Sequence, residues 1–358
     1  MKKLSVLFLG MVLLAGCGET SSTRKPEKED VLKSLRLAND YFMEKWSDPG
    51  EAIPYPSRKR NYETNVWTRA YYYEGLIDLW EIDPQQRYLD YALEWGNKHD
   101  WKLRGTKNGW KTRNADNQCA GQAYLYLYQL DPEKPERYIV NIKTSIDSMM
   151  ITDKIDDWHW IDAVQMAMPI FAQLGNITGD TAYYERAYEM YNYTKTRHGA
   201  NGLYNPEDRL WWRDGDFDPP YKEPNGKDCY WSRGNGWIVV AMVRMLELLP
   251  EDEPHRAEYA KMLVDMCGAL KEVQREDGFW NVSLPDPDNY GGKELTGTAM
   301  FIYGMAYGVN TGLLDAAQYE PVIYKAWNAM VKDCLHPNGF LGYVQGSGKE
   351  PKEAQPVT

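Results

Sequence analysis

The sequence predicts an all-α protein that folds as an (α/α)6 barrel, in which a ring of outer helices surrounds a ring of inner helices. Apolar residues recur at helical spacing from about residue 28 onward, and β-type alternation never lasts more than a few residues. Short glycine-aromatic phrases follow several helices, as expected of stacked helical hairpins; they stand at Asn201–Tyr204, Asp277–Trp280 and Asn338–Leu341. An open α-solenoid of helix pairs is the alternative architecture.

The periodicity predicts eleven helices, separated by turn and capping residues. They are expected over residues 28–46, 65–81, 85–99, 115–129, 134–149, 160–174, 180–197, 233–249, 255–274, 295–310 and 316–333. A complete ring has twelve, so the last inner helix is predicted to be missing, either because the sequence is truncated or because the ring closes without it. The barrel domain is expected over 28–344, followed by an irregular tail over 345–358.

The predicted helices alternate between two kinds along the chain. The odd-numbered ones are amphipathic, as in 256–264, whereas the even-numbered ones are apolar almost all round, as in 236–243. A helix that is polar on one side belongs on the outside, and a helix that is apolar all round belongs inside. The alternation therefore assigns outer and inner positions in the barrel.

The first residues have the pattern of a bacterial lipoprotein signal peptide. Two lysines precede the apolar run Leu4–Ala15, which is too short to span a bilayer, and Leu14–Cys17 resembles a lipobox. This predicts a signal peptide over 1–16, lipidation of Cys17 and a polar tether over 17–27. The protein would be a membrane-anchored lipoprotein of a bacterial envelope, facing the periplasm or the cell surface; an ordinary signal peptide is the alternative.

The composition narrows the class of partner. The formal net charge is −11 and there is no basic run, so nucleic-acid binding is excluded as a main function. The 14 Trp and 27 Tyr against 7 Phe suit a surface that stacks on sugars, although a helical core with tyrosines at its margins explains them as well. Beyond Cys17, four cysteines have neither zinc-ligand nor dense disulfide spacing, and Cys119 and Cys267 are predicted to be core residues.

Polar side chains cluster where each predicted inner helix begins. If these helices share one direction, their first turns meet at one rim of the barrel. Each cluster has more polar groups than capping requires, although acidic residues near helix N-termini also gain from the helix dipole. The clusters lie at Trp67–Arg69, Asp116–Gln118, Trp158–Asp162, Trp231–Trp237 and Glu294–Thr298.

These clusters are suited to acid–base chemistry on a sugar. A pair of carboxyl groups is the minimum apparatus of a glycosidase, and Asp116 and Asp162 are the candidates. Asp162 lies among tryptophans in the sequence, so desolvation is expected to raise its pKa, and a nearby Asp116 would raise it further. Arg233 is expected to bind a substrate carboxylate and Trp237, one turn later, to stack on a sugar ring.

No other chemistry is indicated. Nucleotide-binding and serine-hydrolase motifs are absent from the sequence, and the five histidines lack metal-ligand spacing, so neither a metal nor a cofactor is expected. His159 is a candidate for lining the pocket, although a lone histidine between two tryptophans is more often structural.

Two stretches of the chain resemble a known family. Trp231–Trp237 before a long apolar helix, together with Trp160–Ala163 leading to Met168–Ala172, is similar to the unsaturated uronyl hydrolases of glycoside hydrolase family 105, which are relatives of family 88. The resemblance runs from about Tyr62 to Phe340. It implies an (α/α)6 barrel that needs no metal and no cofactor and acts on oligosaccharides whose non-reducing end is a 4,5-unsaturated uronic acid. No obligate protein partner is evident from the sequence.

The resemblance also implies roles for individual residues. Asp162 matches the general acid/base, which protonates C4 of the vinyl ether and then activates the water that attacks C5, and Asp116 matches the second carboxylate. The family commonly has a histidine in the stretch before the Arg-Gly-Asn-Gly-Trp phrase, which is Arg233–Trp237 here. The corresponding stretch, Leu210–Asp214, has no histidine, and Arg213 is the candidate replacement. The predicted substrate-binding residues are Arg233, Trp237, Trp160, Trp231, Arg213, Trp67 and His159.

Two other functions stay open at this stage. One is a conventional glycosidase that acts on a saturated glycan with the same two aspartates, and the other is a lipid-anchored glycan-binding protein without catalysis. For the unsaturated substrate, a rhamnogalacturonan source and hence pectin degradation are favoured. Ulvan, glycosaminoglycans and arabinogalactan side chains are the other sources.

Overall fold

The structure is a computed structural model that describes residues 23–55, 60–352 and 356–357. The predicted signal peptide and Cys17 lie outside the described residues. The helices are α1 (Lys28–Lys45), α2 (Trp67–Ile82), α3 (Gln86–Lys98), α4 (Ala115–Gln118), α5 (Ala120–Leu130), α6 (Val140–Met150), α7 (Asp162–Thr178), α8 (Ala182–Thr196), α9 (Ser232–Leu248), α10 (Arg256–Glu272), α11 (Leu295–Asn310) and α12 (Ala316–Asp333).

All eleven predicted helices are present, with two differences in detail. The helix predicted over 115–129 is divided at Cys119 into α4 and α5. The helix predicted from residue 134 begins at Val140, after a 3₁₀ turn at Glu136–Tyr138. Both differences are local changes of backbone geometry within predicted helical segments.

The described part of the chain also contains three short antiparallel strand pairs. They are β1 (Ile53–Tyr55) with β2 (Arg60–Tyr62), β3 (Tyr204–Asn205) with β4 (Leu210–Trp211), and β5 (Val344–Gln345) with β6 (Pro356–Val357). The segment 345–358, predicted to be irregular, therefore contains some β structure.

Burial confirms the predicted division into inner and outer helices. Every residue of α9 from Ser232 to Leu246 is buried, and so is every residue of α7 from Asp162 to Gly175. In α1, by contrast, only Leu32 and Asn39 are buried. The inner helices are thus surrounded by protein on all sides, as their apolar sequences indicate.

The inner helices pack on one another in chain order, α2 on α5, then α7, α9 and α11, and outer helices cover them. Small residues permit the closest approaches. A Cβ added at Gly304 of α11 would lie 2.2 Å from Cγ1 of Val239 on α9. Among the described residues, no helix follows α12.

The described residues contain neither a membrane-spanning helix nor a disulfide. None of their helices combines the length and the apolar character that a bilayer span requires. Their four cysteines are all buried and form no disulfide, which confirms the prediction that Cys119 and Cys267 are core residues.

Candidate active site

The Arg-Gly-Asn-Gly-Trp phrase, Arg233–Trp237, lies in the first turns of α9 and contacts the segments around it at the rim. The side chain of Asn235 accepts a hydrogen bond from the backbone N–H of Trp211 at 2.9 Å and donates to its carbonyl at 3.0 Å. A Cβ at Gly234 would lie 3.1 Å from Cδ1 of Ile161, and one at Gly236 would lie 2.7 Å from Sδ of Met300. The phrase therefore fixes β4 and allows α7 and α11 to approach α9 closely.

The fixed strand β4 leads directly to Arg213. The backbone N–H of Ile161 donates to the carbonyl of Arg213 at 2.9 Å, and Trp160 forms an antiparallel bridge with Asp214. This pairing joins the segment that precedes α7 to the segment that follows β4. Arg213 is thereby held beside Asp162, the first residue of α7.

We call Asp116, Asp162, Arg213 and Asp214 the carboxylate side of the rim. Nε of Arg213 donates to Oδ2 of Asp162 at 3.3 Å, and the same guanidinium also contacts Asp214. Burial and the charge of Asp162 raise the pKa of Asp116 to about 6, although Arg213 and Arg104 oppose the rise. The two predicted catalytic aspartates are thus brought together.

The environment of Asp162 differs from the predicted one. The sequence predicts a carboxyl desolvated among tryptophans, and Asp162 is buried, with 9% of its surface exposed. Trp158, however, packs away from the rim against Phe171, with ring centroids 5.8 Å apart. The near partner of Asp162 is the Arg213 guanidinium, and burial raises the pKa of the neighbouring Asp116.

We call Arg233, Trp231, Trp67 and segment 345–350 the arginine side of the rim. Arg233 is 3% exposed, and its guanidinium lies 4.4 Å from the ring centroid of Trp231 and 5.9 Å from that of Trp67. Its Nη1 and Nη2 atoms donate to the carbonyls of Gly346 and Gly348 at 2.6 and 2.8 Å. Arg233, which was predicted to bind the substrate carboxylate, therefore donates to backbone carbonyls of segment 345–350.

Gln345 anchors this segment to the beginning of α9. Its side chain accepts from Nε1 of Trp231 at 2.9 Å and donates to Oγ of Ser232 at 3.1 Å. Further on, Nζ of Lys349 lies 2.9 Å from Oδ2 of Asp216. The segment thus runs from the arginine side toward the loop that carries Arg213.

The other predicted binding residues are placed as follows. Trp237 is buried, with its ring 4.6 Å from Tyr71 and 6.2 Å from Trp67. Trp160 is buried too, whereas His159 is exposed and lies near Trp160 and His198. Trp67 is half-buried. The roles assigned to these side chains stay predictions.

The fifth polar cluster is explained by capping. Glu294 is the N-cap residue of α11 and accepts from the backbone N–H groups of Thr296 and Gly297 at 2.6 and 2.8 Å. It also accepts from Oγ of Ser232 at 3.1 Å. Glu294 therefore caps α11 and joins it to the beginning of α9.

Sequence reasoning missed two parts of the site. The first is segment 345–350, because no local sequence pattern predicts its contacts with Arg233 and Trp231. The second is Glu74 of α2, a fully buried carboxyl below the carboxylate side. A carboxylate in the middle of a predicted inner helix was the available indication, since such groups are rarely buried without a partner.

The geometry defines a class of protein: an (α/α)6 barrel with two neighbouring carboxyl groups at one rim, the minimum apparatus of glycoside hydrolysis. The model of Glycosyl Hydrolase Family 88 matches residues 36–357. The unsaturated 3S-rhamnoglycuronyl hydrolase of Formosa agariphila is 32% identical over 310 residues, which are 80% of this chain and 78% of that protein. The chain therefore belongs to glycosyl hydrolase family 88, which confirms the predicted resemblance.

Solved structures agree with this assignment of the fold. A glycosyl hydrolase family 88 protein from Bacteroides vulgatus has a TM-score of 0.82 and 30% identity, over 93% of this chain and 92% of its own. A protein described as a polysaccharide lyase matches equally well, with a TM-score of 0.82 and 30% identity over 92% of this chain and 91% of its own.

Proposed function

We propose that this glycoside hydrolase removes a 4,5-unsaturated uronic acid from the non-reducing end of oligosaccharides that polysaccharide lyases produce, with rhamnose as the neighbouring sugar. The observation that carries the proposal is the pairing of Asp116 and Asp162 at the rim of a family 88 barrel. The name of the Formosa agariphila relative, an unsaturated 3S-rhamnoglycuronyl hydrolase, supports both the uronic acid and the rhamnose.

The carboxyl pair supplies the proton that vinyl-ether hydration consumes. Asp162 delivers a proton to C4, water adds to C5, and the same carboxylate accepts the proton that the water loses. The hemiketal that results opens and releases the rest of the oligosaccharide, so atoms and charge balance over the cycle. Asp116, whose pKa is about 6, stores a proton beside Asp162 at mildly acidic pH.

Arg213 is the proposed partner of the substrate carboxylate. Its guanidinium is half-buried at the rim and already contacts two carboxylates, Asp162 and Asp214. A uronate that arrives there joins an existing set of charge-assisted hydrogen bonds. Arg233 is less suited to this role because it is more deeply buried, with 3% of its surface exposed, and its guanidinium donates to two backbone carbonyls.

The test uses the ultraviolet absorbance of the conjugated double bond. We expect it to fall when the protein meets lyase-generated oligosaccharides of ulvan or of rhamnogalacturonan, and the faster substrate identifies the source. Release of saturated sugars instead would establish a conventional glycosidase, and binding without turnover a glycan-binding protein. A rise in absorbance on the intact polysaccharide would establish a lyase, the activity in the name of one similar structure.

We also propose that the chain is anchored by a lipid on Cys17 in a bacterial envelope. The proposal is supported by the lipobox-like stretch Leu14–Cys17. Labelled palmitate is expected to enter the full chain expressed in a bacterium and to be absent from the Cys17→Ala variant, with Cys119→Ala as the matched cysteine control. Equal labelling of all three proteins would contradict it.

A further inference from the structure

Glu74 is buried in the centre of the barrel, below the carboxylate side of the rim. It lies on α2 and only 1% of its surface is exposed. Oε2 of Glu74 accepts a hydrogen bond from Nε2 of Gln165 on α7 at 3.1 Å. Sγ of Cys119, between α4 and α5, lies 3.7 Å from Oε1 and donates to it. One carboxyl group thus contacts both helical segments that carry the catalytic pair.

The two partners of Glu74 occupy equivalent positions. Gln165 follows Asp162 by three residues, and Cys119 follows Asp116 by three residues. Residues at this spacing on a helix share one face and are neighbours along it. Glu74 therefore lies one turn below both aspartates at once.

The surroundings of Glu74 favour a carboxyl group that keeps its proton. Burial raises the pKa of Glu74 to about 8; Arg244 of α9 and the hydrogen bonds from Cys119 and Gln165 oppose the rise, and Asp78 of α2 supports it. The other titratable groups that interact with Glu74 are Cys119, Tyr71 and Tyr126. An uncharged Glu74 adds no third negative charge beneath the aspartate pair.

Two unpaired acceptors near Glu74 could accept a hydrogen bond from its protonated carboxyl group. Oε1 of Gln165 and Oε1 of Gln122 are buried and have no hydrogen-bond partner within the described part of the chain. Gln122 is linked to the same region, because its Nε2 donates to the backbone carbonyl of Gln165 at 2.7 Å. A protonated carboxyl satisfies such an acceptor, which an ionised one cannot.

We propose that Glu74 is a positioning residue for the proton-transfer pair: by bonding Gln165 and Cys119 together, it fixes the separation of Asp116 and Asp162. The inference rests on the proposed function. It extends the site to a residue that touches neither the substrate nor the reacting atoms and acts through the two helical turns above it.

The test compares Glu74→Leu and Glu74→Gln with the wild-type chain on whichever unsaturated oligosaccharide the wild type cleaves. Glu74→Leu removes both contacts, and we expect kcat to fall about tenfold or more while KM stays within about twofold, because misplaced catalytic groups slow the chemical step. Glu74→Gln keeps a polar group of the same shape and is expected to recover most of kcat. Gln173→Leu, which removes another buried polar side chain of α7, is the matched control and should leave kcat unchanged.

A readout without turnover separates this inference from the proposed function. In chains labelled at the aspartate carboxyl carbons, the NMR signal of Asp116 is assigned with Asp116→Asn and titrated. We expect its pKa to fall from about 6 toward its ordinary value in Glu74→Leu, because the pair moves apart, and to stay near 6 in Glu74→Gln. A folded Glu74→Leu variant with wild-type kcat or, should the wild type cleave nothing, with an unchanged Asp116 titration overturns the inference.

Discussion

The two sides of the rim each present an arginine to the substrate end of the barrel, and the two arginines have opposite kinds of partner. Arg213, on the carboxylate side, contacts the carboxylates of Asp162 and Asp214 and stays half-buried. Arg233, on the arginine side, is fully buried and donates to two backbone carbonyls of segment 345–350.

The difference between the two arginines shows that membership of a sequence motif does not by itself identify the role of an arginine. Arg233 belongs to the most specific phrase of the sequence, yet its hydrogen bonds to Gly346 and Gly348 hold a segment of the chain in place. Arg213 belongs to no motif, yet the backbone pairing of Trp160 and Ile161 with Asp214 and Arg213 places it beside the acid–base pair. We therefore expect substitutions on the two sides to affect different properties.

The largest effect is expected on the carboxylate side. Asp162→Asn keeps the shape of the side chain but can neither deliver nor accept the proton, so kcat should fall about 10³-fold. Turnover is followed by loss of double-bond absorbance. Asp153→Asn, which changes an exposed aspartate in the loop after α6, should retain wild-type kcat. Wild-type turnover by Asp162→Asn would remove this residue from the mechanism.

Arg213→Gln is expected to have the second-largest effect on turnover. Loss of the guanidinium should lower kcat/KM about 10²-fold, because a positive charge is lost from the site that is proposed to bind the uronate. Since Arg213 opposes the raised pKa of Asp116, its removal should also raise that pKa above about 6 and shift the alkaline side of the rate profile to higher pH. A profile that shifts to lower pH would contradict the assignment.

Arg233→Met tests the arginine side. The substitution removes two charge-assisted hydrogen bonds to Gly346 and Gly348, so we expect a loss of about 1.5–3 kcal/mol in the free energy of unfolding. Segment 345–350 should become more sensitive to limited proteolysis, and kcat/KM should fall less than in Arg213→Gln. The comparison of the two sides fails if Arg233→Met is the more damaging of the two for turnover and leaves the proteolysis pattern unchanged.

The smallest effect expected is a gain in stability. The folded pKa of Asp116 is raised from 3.8 to about 6, so its favourable contribution is complete below the unfolded pKa and is lost as pH rises through about 6. Asp116→Asn never ionises and avoids this loss. Relative to the wild type, denaturant titrations should show it gaining about 1–2 kcal/mol between about pH 4 and pH 7, after allowance for solvent screening. A variant that becomes relatively less stable over this range would show that the carboxyl is stabilised in its ionised form.

Much of the fold was predictable because it depends on local patterns. The apolar circumference of 236–243 and the one-sided polarity of 256–264 correctly separated an inner helix from an outer one. The division at Cys119 and the delayed start of the helix at Val140 were not predictable from periodicity, which continues through both places. Of the five polar clusters, the one at Glu294 proved to be a helix cap, because capping and catalysis select the same residue types at a helix N-terminus.

The sequence by itself determined the helices, their inner or outer positions and the rim at which Asp116 and Asp162 meet, because helical periodicity and the direction of alternating helices are local properties. Only the tertiary structure decided which partner each charged group has. Asp162 and Arg213 are 51 residues apart, Glu74 and Gln165 are 91 apart, and Arg233 and Gly346 are 113 apart. The protonation of Asp116 and the occupation of Arg233 depend on such distant contacts, and therefore arise only when the barrel is assembled.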